Sequence, residues 1–411
     1  VLSFAITAGI SFLAQTLLRR RPSGQRQSQT TVSRELAQPD SLPVVRHLYG
    51  SRLTEGTPWP QHNSADNVLY QALLLNSRPS DGGDLVVRVD QETLTLSGDP
   101  FNLAGPGAVP VGGSKLEGKF RIWIGLGDQT GPPAAFVSEQ GAVFSASDKW
   151  TGLTMAFVTF DGKPISSWGE RYDSSPPRVE IRMRWSKVWD PRSNSQAADD
   201  PSTWAWSANA GLIALDAELQ NPKEPRPLRT VDLPAFRNLA NIADERVPLQ
   251  AGGDEARYEA HHQMVYRDVP LHALIAPLYT AQAAFRTDIG GLRSVAPGAY
   301  EAPFLTLTDF EGDRITFDTL QQSRNSANLI LTTFANADNL DEDAGLEEYQ
   351  IPGALNADNG ERKVVTLNLE AVTSPTQAMR LTKIEAFDVR REMSITFTGG
   401  PECFELVHGS P

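Results

Sequence analysis

Glu259, His261 and His262 bring a carboxylate and two imidazoles into one short run, the residue types from which metal sites and acid–base pairs are built. Neighbouring residues of a strand project to opposite faces, so a core or solvent-facing role is expected for both histidines. His272 falls within a helical pattern and is expected to pack. Asp338, Asp341, Glu342 and Asp343 could together hold calcium, but they lack the EF-hand order of ligands and read as a solvated loop. Gly252-Gly253-Asp254-Glu255 is a turn by its glycines, with no helix start behind it to cradle a phosphate. The single cysteine, Cys403, excludes an internal disulfide framework and a cysteine zinc site. It sits in an apolar alternation and is expected to be a buried, inert thiol. No metalloprotease, hydrolase-elbow, phosphate-loop or dinucleotide pattern is present. Carboxylate pairs for glycoside hydrolysis are a matter of spatial separation, and no pair is singled out. No catalytic, cofactor-binding or metal-binding residue is assigned, no cofactor is expected, and the chain is expected not to be an enzyme.

Around this thin chemistry lies a chain of 411 residues, 40% hydrophobic and 21% charged, enough for several cores. A formal charge of −13 argues against a nucleic-acid binder, whose phosphate contacts need a basic surface. It suits a solvated exterior, or a lumen through which a polyanion slides without sticking. Thirty-two glycines and 29 prolines favour many turns and short strands. The first stretch, Val1 to Leu18, ends in Arg19, Arg20 and Arg21 and presents Phe4, Ile6, Ile10, Phe12 and Leu13. Three roles are open to it: a helix packed inside an assembly, a membrane-interacting or lumen-plugging segment, or a signal anchor. The basic, Gln/Ser-rich run that follows reads as a linker.

Beyond the linker, a period of two dominates. Asp84 to Leu96, Phe120 to Ile124, Leu153 to Phe160 and Val179 to Trp185 read as strands. In the last, Val179, Ile181, Met183 and Trp185 share one face and Glu180, Arg182 and Arg184 the other, the pattern of a half-buried strand. Helices are expected from Ser207 or Asn209 to Leu219, over Leu233 to Glu245, over Val269 to Thr287 with a break at Pro277, and over Ser374 to Arg391. In the last of these Ala378, Leu381, Ile384 and Phe387 form one stripe. The fold class is α+β, predominantly β.

The order of these pieces carries a resemblance. After the strand come Trp189, Asp190, Pro191 and Arg192, then a polar loop, Trp204, Trp206, Ser207 and Asn209, and a helix with Leu212, Leu215 and Asp216. This resembles the tail-tip or baseplate hub proteins of long-tailed, lambda-like bacteriophages. Further matching stretches follow in order: Asn241 to Val265, Gly298 to Phe317, Asn325 to Asn336 and Ser374 to Phe397. Arg121 to Phe136 and Trp150 to Asp161 match upstream. The resemblance spans roughly residues 45 to 400.

It implies a multi-domain hub with β-barrel-like, ring-forming domains, an inserted β-domain and a few helices. The implied division is a hydrophobic helix and linker at 1–30, hub domain I at 31–75 plus 149–232, an inserted domain II at 76–148, a small α/β domain IV at 233–300, and domain III at 301–411. It further implies a homotrimer in the virion at the phage tail tip, with a distal tail protein and other tip or fibre proteins as partners. Phage DNA would pass transiently through the lumen, and the N-terminal segment could meet the host envelope. Members of the class run on into fibronectin-like modules and a receptor-binding tip, which leaves receptor binding open between this chain and another protein. Trp189, Asp190, Arg192, Trp204 and Trp206 are expected to anchor the loop or a subunit interface; the plainer alternative is that the tryptophans close their own domain's core. Two other function classes stay open: a secreted carbohydrate-active enzyme on β-domains, and a membrane-anchored surface adhesin.

Overall fold

In the computed structural model the described residues are 44–398, apart from 66, 141–142, 268, 299–314, 319–326, 338–340 and 391–393, together with 400 and 403. Thr54–Glu55, Val179–Arg182, Val86–Val89, Glu92–Ser97 and Val109–Val111 form one antiparallel sheet in that spatial order. Thr57–Ala65, Val68–Asn76, Thr154–Asp161 and Phe120–Gly125 form a second. Alternation sorts the second sheet's side chains between two cores. Leu73, Leu75, Ile122, Ile124, Val158 and Phe160 meet Val87, Val89, Val179 and Ile181 of the first sheet. Tyr70, Ala72, Leu74, Trp123, Met155 and Phe157 lie on the other side with Phe144 and Phe136, the latter from the helix Ala134–Gln140. Burial on both faces is why Leu153 to Phe160 is apolar almost throughout.

The remaining described residues build a helical core. Ala210–Leu219 is its axis, buried from Ala210 to Glu218. Leu233–Asp244, Leu271–Thr280 and Pro375–Asp388 contribute Phe236, Leu239, Ile275, Leu278, Ala378 and Leu381 to the same cluster. Asn209 caps the axial helix by accepting from Leu212 N–H at 3.0 Å, and Asp232 and Ser374 cap two others the same way. A four-stranded sheet, in which Leu329–Asn336 pairs with Glu342–Gly345, Tyr349–Gln350 and, in parallel, Val364–Leu369, adds Phe334 and Leu369. Between the two regions runs the pair Arg46–Tyr49 and His262–Val265. Leu48 belongs to the sandwich core and Tyr49, on the opposite face, to the helical one.

The class is therefore α+β, predominantly β, as the periodicities indicate. Five expectations change. No sheet closes on itself among the described residues, so the barrel-like domains are open sheets packed face to face; edge strands of two and three residues, Thr54–Glu55 and Val109–Val111, leave little exposed ladder. The 76–148 stretch, expected as an insertion, shares both sandwich sheets with its flanks: Val86–Val89 pairs with Val179–Arg182, and Phe120–Gly125 with Thr154–Asp161. Asp84 to Leu96 is a hairpin, because Asp90 and Gln91 turn at φ of 46° and 70°. The helix expected to Thr287 ends at Thr280: Ala283 is left-handed, and Phe285–Ile289 pairs instead with Leu292–Ala296. Phe387 is 82% exposed, since a spacing of three residues drifts by about 60° per step on a 3.6-residue helix and carries the stripe off its face.

Candidate functional site

The stretch that carried the resemblance is used within its own chain. Val179, Ile181, Met183 and Trp185 are buried in the sandwich as expected. The charged face is not turned to open space: Glu180 is buried, Arg182 donates to Ala337 O at 3.1 Å, and Arg184 pairs with Asp84 at 2.8 Å and lies 4.8 Å over the Trp206 ring. Trp189 and Trp204 are buried in the helical core, and Trp204 Nε1 donates to Ala197 O at 2.7 Å. Trp206 is half-buried and donates to Gly50 O at 3.1 Å. Arg192 reaches Asp190 at 2.8 Å and Asp244, the last residue of a helix, at 2.9 Å. Burial acts to raise the Asp190 carboxyl, but Arg192's hydrogen bonds and charge leave it below the usual range. These contacts pin the Trp-Asp-Pro-Arg turn to the helical region. Phe4, Ile6, Ile10, Phe12 and Leu13 lie outside the described residues.

The histidine run separates as strand geometry requires. His261 Nδ1 accepts from Ser51 N–H at 2.8 Å, and His262 Nε2 lies 3.3 Å from Leu274 O; both rings are buried. His272, expected to pack, is exposed at the start of its helix. Of the acidic run, Glu342–Gly345 is a paired strand instead of a solvated loop, and Asp341 accepts from Leu53 N–H. Cys403 is half-buried, less enclosed than expected. Among the described residues no group of three or more His, Cys, Asp or Glu is placed to hold a metal ion, and no helix is long and apolar enough to cross a membrane.

The axial helix buries two carboxylates, Asp216 and Glu218. Asp216 accepts from Tyr49 Oη at 2.8 Å and, bidentately, from Arg78, which arrives from the end of a sandwich strand. Burial alone would depress the Arg78 guanidinium, yet Asp216 and Tyr49 hold it above its ordinary value. Glu218 is fully enclosed, accepts from Tyr279 Oη at 2.9 Å and is ringed by Arg286, Arg293 at 3.5 Å and Arg226 at 3.7 Å. Burial first, and then the neighbouring carboxylate, push the Tyr49 and Tyr279 phenols well above their usual range. The signal was visible as Asp216 and Glu218 inside an otherwise apolar helix, but their partners are remote in sequence.

The seam also carries a cleft of about 440 Å³ lined by Arg46, Arg52, Glu55, Arg178, His262 and Glu370 among others. A contiguous recess of about 220 Å³ shares Arg52, Leu53, Arg178 and Glu180 and adds Arg88, Gln91 and Asp341. Its floor is one row across three strands, with Arg88 opposite Glu180 and Glu180 opposite Glu55. Two like charges directly opposite repel; Arg178 bridges them, reaching Glu180 at 3.0 Å and Glu55 as well, while Arg88 lies 3.2 Å from Glu180. Glu55 and Glu180 thus share Arg178, and Glu180 meets Arg88 as well. None of the cleft's arginines was marked by the sequence.

No family model matches the chain, and no curated protein matches it. Among solved structures it is similar to a chain from the virion of a native gene transfer agent particle, with a TM-score of 0.50 and 15% identity over 98% of this chain and 88% of that one. The likeness is one of fold, and it runs nearly end to end.

Proposed function

We propose that this chain is a structural protein of a phage-derived virion, and more specifically the hub at the distal end of a tail. In that place it would close the tail tube, organise the tip and fibre proteins and gate the passage of DNA into the host. The observation that carries the reading is the fold likeness to a chain of a virion particle along almost the whole length of both. Motifs in hub order, from Arg121 to Phe397, support the finer placement.

Sheet edges are consistent with assembly. Val364–Leu369 pairs on one side only among the described residues, and Val364 and Leu331, the latter opposite Thr366, are exposed. A second copy or another tail protein laid along this edge would complete the ladder and cover both side chains. In this reading the chain is a homotrimer, joins a distal tail protein in the virion, and lets DNA slide past a surface of net negative charge. The hydrophobic start, from Phe4 to Leu13, would plug the lumen or enter the envelope during ejection; deletion of residues 1–21 with unchanged DNA release would remove that role.

Native mass measurement of the full chain, with immunogold labelling of particles, tests the proposal. A trimer and label at one tail end are expected. A stable monomer, or label confined to the capsid, sinks the hub assignment.

A further inference from the structure

We propose that the seam cleft is a binding site for a neutral, hydroxyl-rich ligand, a saccharide. The inference does not rest on the virion reading. The cleft joins three distant parts of the chain: the 46–55 segment, the sandwich strands bearing Arg88 and Glu180, and the C-terminal region through Asp341 and Glu370. Four guanidinium groups, from Arg46, Arg52, Arg88 and Arg178, face four carboxylates, from Glu55, Glu180, Asp341 and Glu370. A polyanion would need an excess of the first and a metal ion an excess of the second.

The two signs are interleaved. Arg88 and Asp341 line the smaller recess, Arg46, Glu55 and Glu370 the larger one, and Arg52, Arg178 and Glu180 line both, so each part carries both signs. A zwitterion, with one cationic and one anionic end, does not fit a wall that repeats both signs along its length. A sugar does, since each hydroxyl donates and accepts, and adjacent hydroxyls span a guanidinium fork and a carboxylate. Leu53 is the one aliphatic side chain in the lining, which disfavours lipids and apolar peptides.

The wall is held from within the chain and keeps donors and acceptors that no described residue matches. Arg52 is held through Nη1 by the carbonyls of Glu370 and His261, and Trp185 Nε1 fixes its own carbonyl at 2.7 Å. No carboxylate pairs with Arg52 among the described residues, so its remaining N–H groups are left for a guest. Just behind the surface, Arg46 Nε, Arg88 Nε and Asp341 Oδ1 are buried with no hydrogen-bond partner among the described residues, while Glu180 Oε2 is met by Arg88 at 3.2 Å. Such groups are costly to leave unmatched, and small rotations would turn these donors and acceptors toward hydroxyls.

Calorimetric or saturation-transfer titration of the full chain with maltose, lactose and chitobiose tests the inference, with glycine and inorganic phosphate as zwitterion and anion controls. At least one disaccharide should bind saturably in the millimolar range, and Arg52→Gln should weaken it about tenfold, the loss of a charge-assisted hydrogen bond, with the circular dichroism unchanged. If R52Q does not fold, Glu370→Gln on the exposed rim makes the same comparison. No saturable disaccharide binding, binding that survives the substitution, or tighter binding of glycine or phosphate overturns the proposal.

Discussion

The sandwich and the helical region bury similar kinds of side chain in different ways. Between the two large sheets the core is aliphatic and aromatic, and the Arg88–Glu180 pair is kept off it, buried on the opposite face of the first sheet. Inside the helical region a helix enclosed on every side carries Asp216 and Glu218, whose charges are answered by arginines from other elements. The sandwich needs only patterning and volume. The helical core needs particular partners in particular places, because an ion moved out of water is tolerated only when it is paired and hydrogen-bonded. Packing of the first kind is degenerate; pairing of the second kind fixes one arrangement, and through Arg78 it fixes the helix against the sandwich.

The contrast can be broken most directly at Glu218. Glu218→Ala leaves Arg286 and Arg293 without their shared partner and should cost about 3–5 kcal/mol in chemical denaturation. A loss below about 1 kcal/mol would mean that the cluster is dispensable.

Acid should act on the seam next. Burial, and then Arg78, hold His47 down to about 3; burial, and then Arg52, hold His262 down to about 4. Both are neutral in the fold and titrate near 6.5 when unfolded. Their contribution is complete above about pH 6.5 and is lost as pH falls toward 4, at about 1.4 kcal/mol per pH unit for each ring. Melting temperatures followed from pH 7 to 4.5 should fall, and less steeply in His262→Gln.

A smaller effect is expected from Gly211→Ala. An added Cβ would stand 2.7 Å from Ala240 N and force apart two helices in close approach, an overpacking cost of about 1–3 kcal/mol. Least should come from Ile181→Val in the sandwich, about 0.5–1.5 kcal/mol, with the fold retained. An Ile181→Val loss larger than that of Glu218→Ala, both read from the same denaturation series, would reverse the comparison.

The two regions were also unequally legible. Alternation placed Val179, Ile181, Met183 and Trp185 together on a buried face, and the capping choice of Ser207 or Asn209 marked a helix start that Asn209 fills, since both are local rules. The stripe ending in Phe387 failed because i+3 spacing drifts around a helix, and the helix run past Thr280 failed because a left-handed Ala283 gives no composition signal. The cleft was invisible: Arg46, Arg52 and Arg88 belong to no motif and converge only when strands from distant parts of the chain register.

Residue order by itself determined the β-rich class, most of the half-buried faces, the principal helix starts and the order of motifs on which the proposed hub role rests. These depend on contacts a few residues apart. Only the tertiary structure decided that the charged face of Val179–Trp185 is answered from within the chain, that Asp216 meets Arg78, and that arginines and carboxylates line one cleft. Charge pairing acts over a few ångströms in space and is indifferent to separation along the chain, so those partners are settled by folding and cannot be read from the order of residues.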